Sequence, residues 1–177
     1  GETVFIGSDD GSVYALDAHT GEQRWRYATW DLVRSSPAVA GETVFIGSDD
    51  GSVYALDAHT GEQRWRYATW DLVRSSPAVA GETVFIGSDD GSVYALDAHT
   101  GERQWRYETE DSVQSSPSVA GGTVLVGSND VYALDAHTGE RQWRYETDGG
   151  VGSSPAVAGG TVFVGSSDGC VYALGGP

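Results

Sequence analysis

The sequence contains no methionine, only one cysteine, Cys170, and no lysine, because all 10 basic residues are arginines. A single cysteine excludes an intramolecular disulfide. The 26 acidic residues bring the formal net charge to −16. Nucleic-acid phosphates and anionic membranes are bound by clustered Lys and Arg, so this charge balance argues against both kinds of partner.

Long apolar runs are also missing. No run approaches the roughly 20 residues that cross a bilayer, so membrane insertion is not expected. The sequence as given shows no charged-then-apolar leader, so no export signal is expected in it. An acidic surface without lysine is typical of proteins in a high-salt cytoplasm, where ions screen self-repulsion. The alternative is that one acidic repeat was copied several times.

What the sequence does contain is a repeat of about 40 residues. Residues 1–40 recur without change as residues 41–80, and the third unit begins with the same 22 residues. A fourth unit, 121–158, is two residues shorter, and a partial fifth unit covers 159–177. Such identity indicates a very recent duplication or an engineered amplification. A period of this length is typical of stacked supersecondary units, so we expect residues 1–177 to form one domain.

Each unit reads as four short β-strands and no helix. In the first unit, the β-type segments are residues 3–7, 13–17, 23–27 and 35–40. Asp10-Gly11 supplies the positive φ that a tight hairpin needs, and the fourth segment has the small side chains and proline of an innermost edge strand. Four strands per unit predict an all-β fold, a β-propeller of four-stranded antiparallel blades. A β-solenoid is the main structural alternative.

A second motif recurs within the units, Ala-x-Asp-x-x-Thr-Gly-x-x-x-Trp. It ends at Trp25, Trp65, Trp105 and Trp143. With these four copies, the chain resembles the pyrroloquinoline-quinone (PQQ) type of β-propeller repeat over essentially its whole length. In that family the run is a tryptophan-docking motif, whose indole stacks on the backbone of an adjacent blade. The resemblance therefore implies that the four tryptophans are structural, each burying on the order of 150–250 Å².

The resembling family contains both quinoprotein dehydrogenases and non-catalytic scaffolds, so the fold alone does not assign a function. The dehydrogenases carry a catalytic Asp, a calcium site and commonly an adjacent cysteine pair. This chain has one cysteine and no acidic residue that stands out from its copies. We therefore expect no enzyme and no catalytic or cofactor-binding residues. The alternative is a remnant quinone- or calcium-binding protein.

Two recurring polar turns are candidate metal sites. The Asp9-Asp10 turn lacks the spaced D-x-D-x-D-G ligand set of a calcium loop, so a plain hairpin turn is favoured. One histidine occupies the same turn position in every unit, and histidines spread around a ring cannot converge on a metal. The recurring histidines are His19, His59, His99 and His137. We therefore expect no metal site.

The loop after the third strand is the most variable segment between units. It contains Trp30 and Arg34, which recur as Trp70 and Arg74. Functional residues concentrate in loops carried by a rigid scaffold, and Trp and Arg are common interface anchors. The four residues are therefore predicted to form a partner-binding loop for an unidentified protein, on the same rim as the Asp-Gly hairpins. The alternative is that both tryptophans cover the rim and contact no partner.

Counting strands gives a prediction about assembly. With 35–40 and its copies as the innermost strands, the blades contain three, four, four, four and three strands, so the first and last blades are incomplete. Family members that this chain resembles favour about eight blades. Because unpaired strand edges recruit other chains, we predict a homodimer in which two chains share one ring. A closed five-bladed monomer is the alternative.

Overall fold

The computed structural model describes residues 2–175, and in this range all regular structure is β-strand. No helix long and apolar enough to cross a membrane occurs among these residues. The strands, in chain order, are β1 (Thr3–Ser8), β2 (Ser12–Asp17), β3 (Gln23–Ala28), β4 (Ala38–Ala40), β5 (Thr43–Ser48), β6 (Ser52–Asp57), β7 (Gln63–Ala68), β8 (Ala78–Ala80), β9 (Thr83–Ser88), β10 (Ser92–Asp97), β11 (Arg103–Glu108), β12 (Ser118–Ala120), β13 (Thr123–Gly127), β14 (Val131–Asp135), β15 (Arg141–Tyr145), β16 (Ala156–Ala158), β17 (Thr161–Gly165) and β18 (Val171–Gly175).

The strands form five antiparallel sheets, which we number as blades 1 to 5. Blade 1 is β1–β3, blade 2 is β4–β7, blade 3 is β8–β11, blade 4 is β12–β15 and blade 5 is β16–β18. Neighbours in each sheet are consecutive in sequence, because every connection within a blade is a hairpin. The predicted all-β architecture of four-stranded antiparallel blades is confirmed, and so is the predicted number of strands in each blade.

The Asp-Gly turns fix the register of the central hairpins. Gly11 adopts a φ of 77°, and its N–H donates to the carbonyl of Ser8 at 3.1 Å. This turn aligns β1 with β2 from Ser8 opposite Ser12 to Thr3 opposite Asp17. With that register, the apolar residues of both strands alternate between two faces, and in blades 2 to 4 each face lies against a neighbouring blade.

The innermost strand is shorter than predicted. The segment 35–40 forms a strand only over Ala38–Ala40, because at Ser35 the side chain, and not the backbone, bonds the neighbouring strand β5. The Ser35 hydroxyl accepts a hydrogen bond from Gly47 N at 2.7 Å and donates one to Gly47 O at 2.8 Å. It thus takes the place of backbone pairing at this point. The short strands β4, β8, β12 and β16 contact one another in turn and form the inner edge of the row of blades.

The hydrophobic core lies between the blades. Blades 1 and 2 are joined by a cluster of buried side chains: Val13, Ala15, Trp25, Val33, Val44, Ile46, Tyr54 and Leu56. Equivalent clusters join blades 2 and 3 and blades 3 and 4, and a smaller cluster joins blades 4 and 5. Since each blade packs only on its neighbours, the stability is approximately a sum of blade and interface contributions.

The two outer faces of this row are open. On blade 1, Val4 and Ile6 are each 43% exposed, whereas the same positions in the inner blades are buried. On blade 5, Val171 is 79% exposed and Phe163 is 39% exposed. The blades of a single chain therefore form an open row, with an uncovered apolar face at each end.

Candidate functional site

Three tryptophans dock each blade onto the next. Trp25 of blade 1 is buried, and its Nε1 donates to the carbonyl of Ala58 in blade 2 at 3.0 Å. The indole lies directly over Gly61, where an added Cβ would come within 2.7 Å of the ring. Gly61 also has a φ of +74°, so the position requires glycine for two reasons. The same contacts recur from Trp65 to Ala98 and Gly101, and from Trp105 to Ala136 and Gly139.

Trp143 differs from these three tryptophans. It lies on β15 beside blade 5 and is only partly buried. Within residues 2–175 its Nε1 makes no hydrogen bond. The residue that corresponds to Ala58 is Gly176, which lies outside the described residues. The structure therefore places Trp143 at the docking position without showing the glycine and carbonyl contacts that the other three make.

The variable loop lies on the rim predicted for it. The loop 29–35 is bound to its own hairpin, because Thr29 N donates to Gly11 O at 2.8 Å. It is also bound to the next blade, because Asp49 N donates to Leu32 O at 2.8 Å. With hydrogen bonds to two blades, this loop is a fixed part of the scaffold.

The rim carries a row of alternating carboxylates and guanidinium groups. Arg34 lies between Asp9 (Nε to Oδ1, 3.5 Å) and Asp49 (Nη1 to Oδ2, 3.1 Å). Arg74 lies between Asp49 (Nε to Oδ1, 3.4 Å) and Asp89 (Nη1 to Oδ2, 3.1 Å). Burial raises the pKa of the Asp89 carboxyl, and the charge of Arg74 opposes that shift. Both arginines predicted for the partner-binding loop are therefore ion-paired within the chain.

The two tryptophans of the loop, in contrast, project into solvent. Trp30 is 84% exposed and Trp70 is 81% exposed. Their backbones are nevertheless fixed, since Trp30 N donates to Asp50 Oδ2 and Trp70 N to Asp90 Oδ2, each at 3.1 Å. The rim of blades 1 and 2 thus presents two large apolar side chains on hydrogen-bonded loops.

On blades 3 and 4 the same rim position is acidic. Glu110 replaces the tryptophan on blade 3 and forms an ion pair with Arg144 of blade 4, which lowers the pKa of the Glu110 carboxyl. Asp148 replaces it on blade 4 and is exposed. The rim is therefore asymmetric, with indoles on one half and carboxylates on the other.

No group of three or more His, Cys, Asp or Glu side chains within residues 2–175 is placed to hold a metal ion. The carboxylates of Asp49, which is buried, and Asp89, which is partly buried, are directed at arginines, as described above. Cys170 is exposed in a turn of blade 5, where a hydrogen bond with Asp168 raises the pKa of its thiol. A raised pKa disfavours the thiolate that a reactive cysteine needs.

Sequence reasoning missed two features of the rim. One is the serine that binds both backbone groups of the strand glycine, seen again at Ser75, Ser115 and Ser153. The other is the row of ion pairs. A signal for the second was present, because Arg34 precedes Asp49 by 15 residues and the same interval separates Arg74 from Asp89.

Stacked four-stranded antiparallel blades with short inner strands define this chain as a β-propeller protein, and comparisons with known proteins agree. A computationally designed protein, Ika8, superimposes with a TM-score of 0.88 at 19% identity, over 98% of this chain and 55% of that chain. BamB from Moraxella catarrhalis superimposes with a TM-score of 0.67 at 25% identity, over 99% and 68%. A quinohemoprotein alcohol dehydrogenase from Comamonas testosteroni gives 0.84 at 20% identity, over 98% and 40%.

Comparison by sequence finds a match for only part of the chain. A protein-family model described as outer membrane protein assembly factor BamB matches residues 89–176. No curated protein matches the sequence. Taken with the BamB structure at 25% identity, this match shows that the chain belongs to the PQQ-type β-propeller repeat family. The chain spans only about half of the designed protein and two fifths of the dehydrogenase.

Proposed function

We propose that this chain is a non-catalytic β-propeller scaffold that holds a protein partner on its rim through Trp30 and Trp70. The observation that carries the proposal is the exposure of both indoles, 84% and 81%, on loops bound to two blades. Exposed apolar groups of this size on a soluble surface are typical of interaction sites. Because the loops are already fixed, a partner would order only the two side chains on binding.

The rim chemistry indicates the kind of partner. Tryptophan is among the residues that dominate binding energies when buried in a partner's pocket. Each of the two tryptophans is followed by an aspartate and has its backbone N–H bonded to another, and the chain carries a net charge of −16. A partner with apolar pockets flanked by Lys or Arg would match this surface, and the charge would accelerate its encounter at low salt.

Two observations support a scaffold over an enzyme. The blades are nearly identical, whereas a catalytic site needs an asymmetric set of groups, and the exact copy in residues 1–80 indicates amplification of one blade. Arg34 and Arg74 pair with Asp9, Asp49 and Asp89, so these three rim carboxylates are directed at arginines and not at a common site. The relatives are of both kinds, since the similar structures include a dehydrogenase, BamB and a designed protein.

A peptide selection tests the rim. Short random peptides displayed on phage and selected on the wild-type chain are expected to be enriched in Lys and Arg. Their affinity should fall at least about tenfold when both Trp30→Ala and Trp70→Ala are introduced, the effect of losing an interface anchor. The matched control is Tyr145→Ala, which removes another exposed aromatic side chain, on blade 4 and not on the blades that carry the two indoles. Equal binding by all three proteins would contradict the proposal.

The quinone-binding alternative is tested separately. Titration with PQQ and calcium, followed by absorbance and melting temperature, is expected to give no saturable change. A stoichiometric and saturable shift in either signal would overturn the scaffold proposal and favour a remnant cofactor-binding protein.

A further inference from the structure

The open face of blade 1 carries the same residues that blades 2 and 3 bury against the preceding blade. They are Val4, Ile6, Tyr14 and Leu16, and they correspond to Val44, Ile46, Tyr54 and Leu56 of blade 2. In blade 2 these side chains are packed by Val13, Ala15, Trp25 and Val33. The face of blade 1 is therefore built for another blade of the same kind.

Blade 4 shows that this chain offers a matching surface. Its side chains Leu125, Val131, Ala133 and Val151 pack against blade 5, where they cover Val162 and Val164. The strands concerned, TVFVG in β17 and VYAL in β18, are nearly the same as TVFIG in β1 and VYAL in β2. Blade 4 is thus able to accept the first two strands of blade 1 in almost the same side-chain positions.

The docking motif at both ends is incomplete. Gly21 of blade 1 corresponds to Gly61, has a φ of +72°, and has no atom within 4 Å of an added Cβ. At the other end, Trp143 is only partly buried and adjoins an open depression of about 450 Å³ between β15 and β18. One end therefore has the glycine turn without an indole, and at the other end residues 2–175 provide the indole without the turn.

We propose that a second copy of this chain docks at this position, with its blade 1 replacing β17 and β18 on blade 4. Trp143 of one copy then lies over Gly21 of the second copy, and its Nε1 donates to the carbonyl of Ala18. The strand β16 pairs with the free edge of β1 of the second copy and completes a four-stranded blade. This junction reproduces the contacts that Trp105 makes with Ala136 and Gly139 within the chain.

The charges at the junction are complementary. Within one chain, the rim residue Glu110 pairs with Arg144 of the following blade. At the junction, the corresponding residues are Asp148 of one copy and Arg26 of the second. Asp148 is exposed in the single chain, so the junction adds a carboxylate–guanidinium pair of the kind already present between blades 3 and 4.

In the dimer, β1, β2 and β3 of the second copy take the place of β17 and β18 on blade 4. The second copy also supplies the glycine turn at Gly21. Within residues 2–175, β17 and β18 provide neither an outer strand nor the glycine turn, whereas blade 1 provides both. The chain's own β17–β18 compete for the same surface, so dimerisation depends on concentration. Because the contact joins opposite ends of the chain, it must close a ring or form a filament. One copy superimposes on 55% of the designed β-propeller protein, so two copies have about the length of one such protein. The proposed contact therefore closes a ring of two copies.

The test is the mass of the 177-residue chain by light scattering at micromolar concentrations. The wild type is expected to have twice the 18.7 kDa mass of one chain. Trp143→Ala and Gly21→Ala should each raise the dimer dissociation constant at least about tenfold. The matched control is Gly81→Ala, which has a similar φ of +60° and equally open surroundings but lies in the middle of the row. It should remain dimeric, and melting curves at low concentration should show that all variants fold.

Mixing the two variants tests whether the Trp143 end of one copy contacts the Gly21 end of the other. The Gly21→Ala variant still has Trp143, and the Trp143→Ala variant still has Gly21, so their mixture contains one intact junction. Dimers are therefore expected in the mixture at concentrations where each variant alone is monomeric. A wild-type mass of 18.7 kDa throughout would overturn the proposal. So would dissociation by Val171→Asp but not by Gly21→Ala, because that result indicates stacking of an intact blade 5.

Discussion

Replacing Trp65 by alanine is expected to lower the free energy of unfolding by about 3–5 kcal/mol, the range for removing a large buried aromatic side chain. Trp65 is buried between blades 2 and 3, donates to Ala98 O at 3.0 Å and covers Gly101. Its removal leaves a cavity, an unpaired carbonyl and an uncovered turn. Chemical denaturation followed by circular dichroism measures the loss.

The control for this experiment is Trp70→Ala, five residues further along the same unit. Trp70 is 81% exposed, so its removal should cost less than about 1 kcal/mol, as is usual for surface substitutions. If the two variants lose comparable stability, the assignment of Trp65 to the inter-blade core is wrong.

Replacing Gly87 by alanine is expected to cost about 3 kcal/mol, at the upper end of the usual range for overpacking. An added Cβ at Gly87 would lie 2.5 Å from Val113 Cγ1 and 2.6 Å from the Val113 carbonyl. The carbonyl belongs to the backbone of the rim loop, which hydrogen bonds hold on both sides, so it cannot move away without breaking them. The midpoint of chemical denaturation should fall accordingly.

Gly165→Ala is the matched control for that substitution. Gly165 holds the same strand position in blade 5 and makes the same hydrogen bonds with its serine, Ser153. Its added Cβ would meet only Ser153, at 3.5 Å or more, which is ordinary contact. We expect a change below about 1 kcal/mol. A large loss at Gly165 as well would mean that the effect arises from the glycine backbone and not from Val113.

Much of the fold could be predicted because the same pattern of strands, turns and tryptophan recurs from unit to unit. The Asp10-Gly11 turn, the β-branched strands and the recurring Ala-to-Trp run together specified the blade, the strand order and the spacing of the docking tryptophans. The alternation in β3 also indicated its outer position, since only Trp25 of that strand is buried while its neighbours are in contact with solvent.

The rim was less predictable, because a one-dimensional pattern does not show which side chains of neighbouring blades meet. Arg34 was predicted to face a partner, and the structure places it between two carboxylates of adjacent blades. The difference between Trp143 and the other docking tryptophans was also hidden, because the motif around each of them is the same. Burial of an indole depends on the next blade, and that blade differs at the end of the row.

The docking of indoles between blades is tested most directly by the exchange of the indole N–H protons with solvent. In a nitrogen-15 spectrum at low concentration, the six tryptophans are assigned by single Trp→Phe variants. Three indole N–H groups, those of Trp25, Trp65 and Trp105, are expected to exchange slowly because they donate to backbone carbonyls. Those of Trp30 and Trp70 should exchange as in a free indole. Rapid exchange of all six would contradict the docking of the blades.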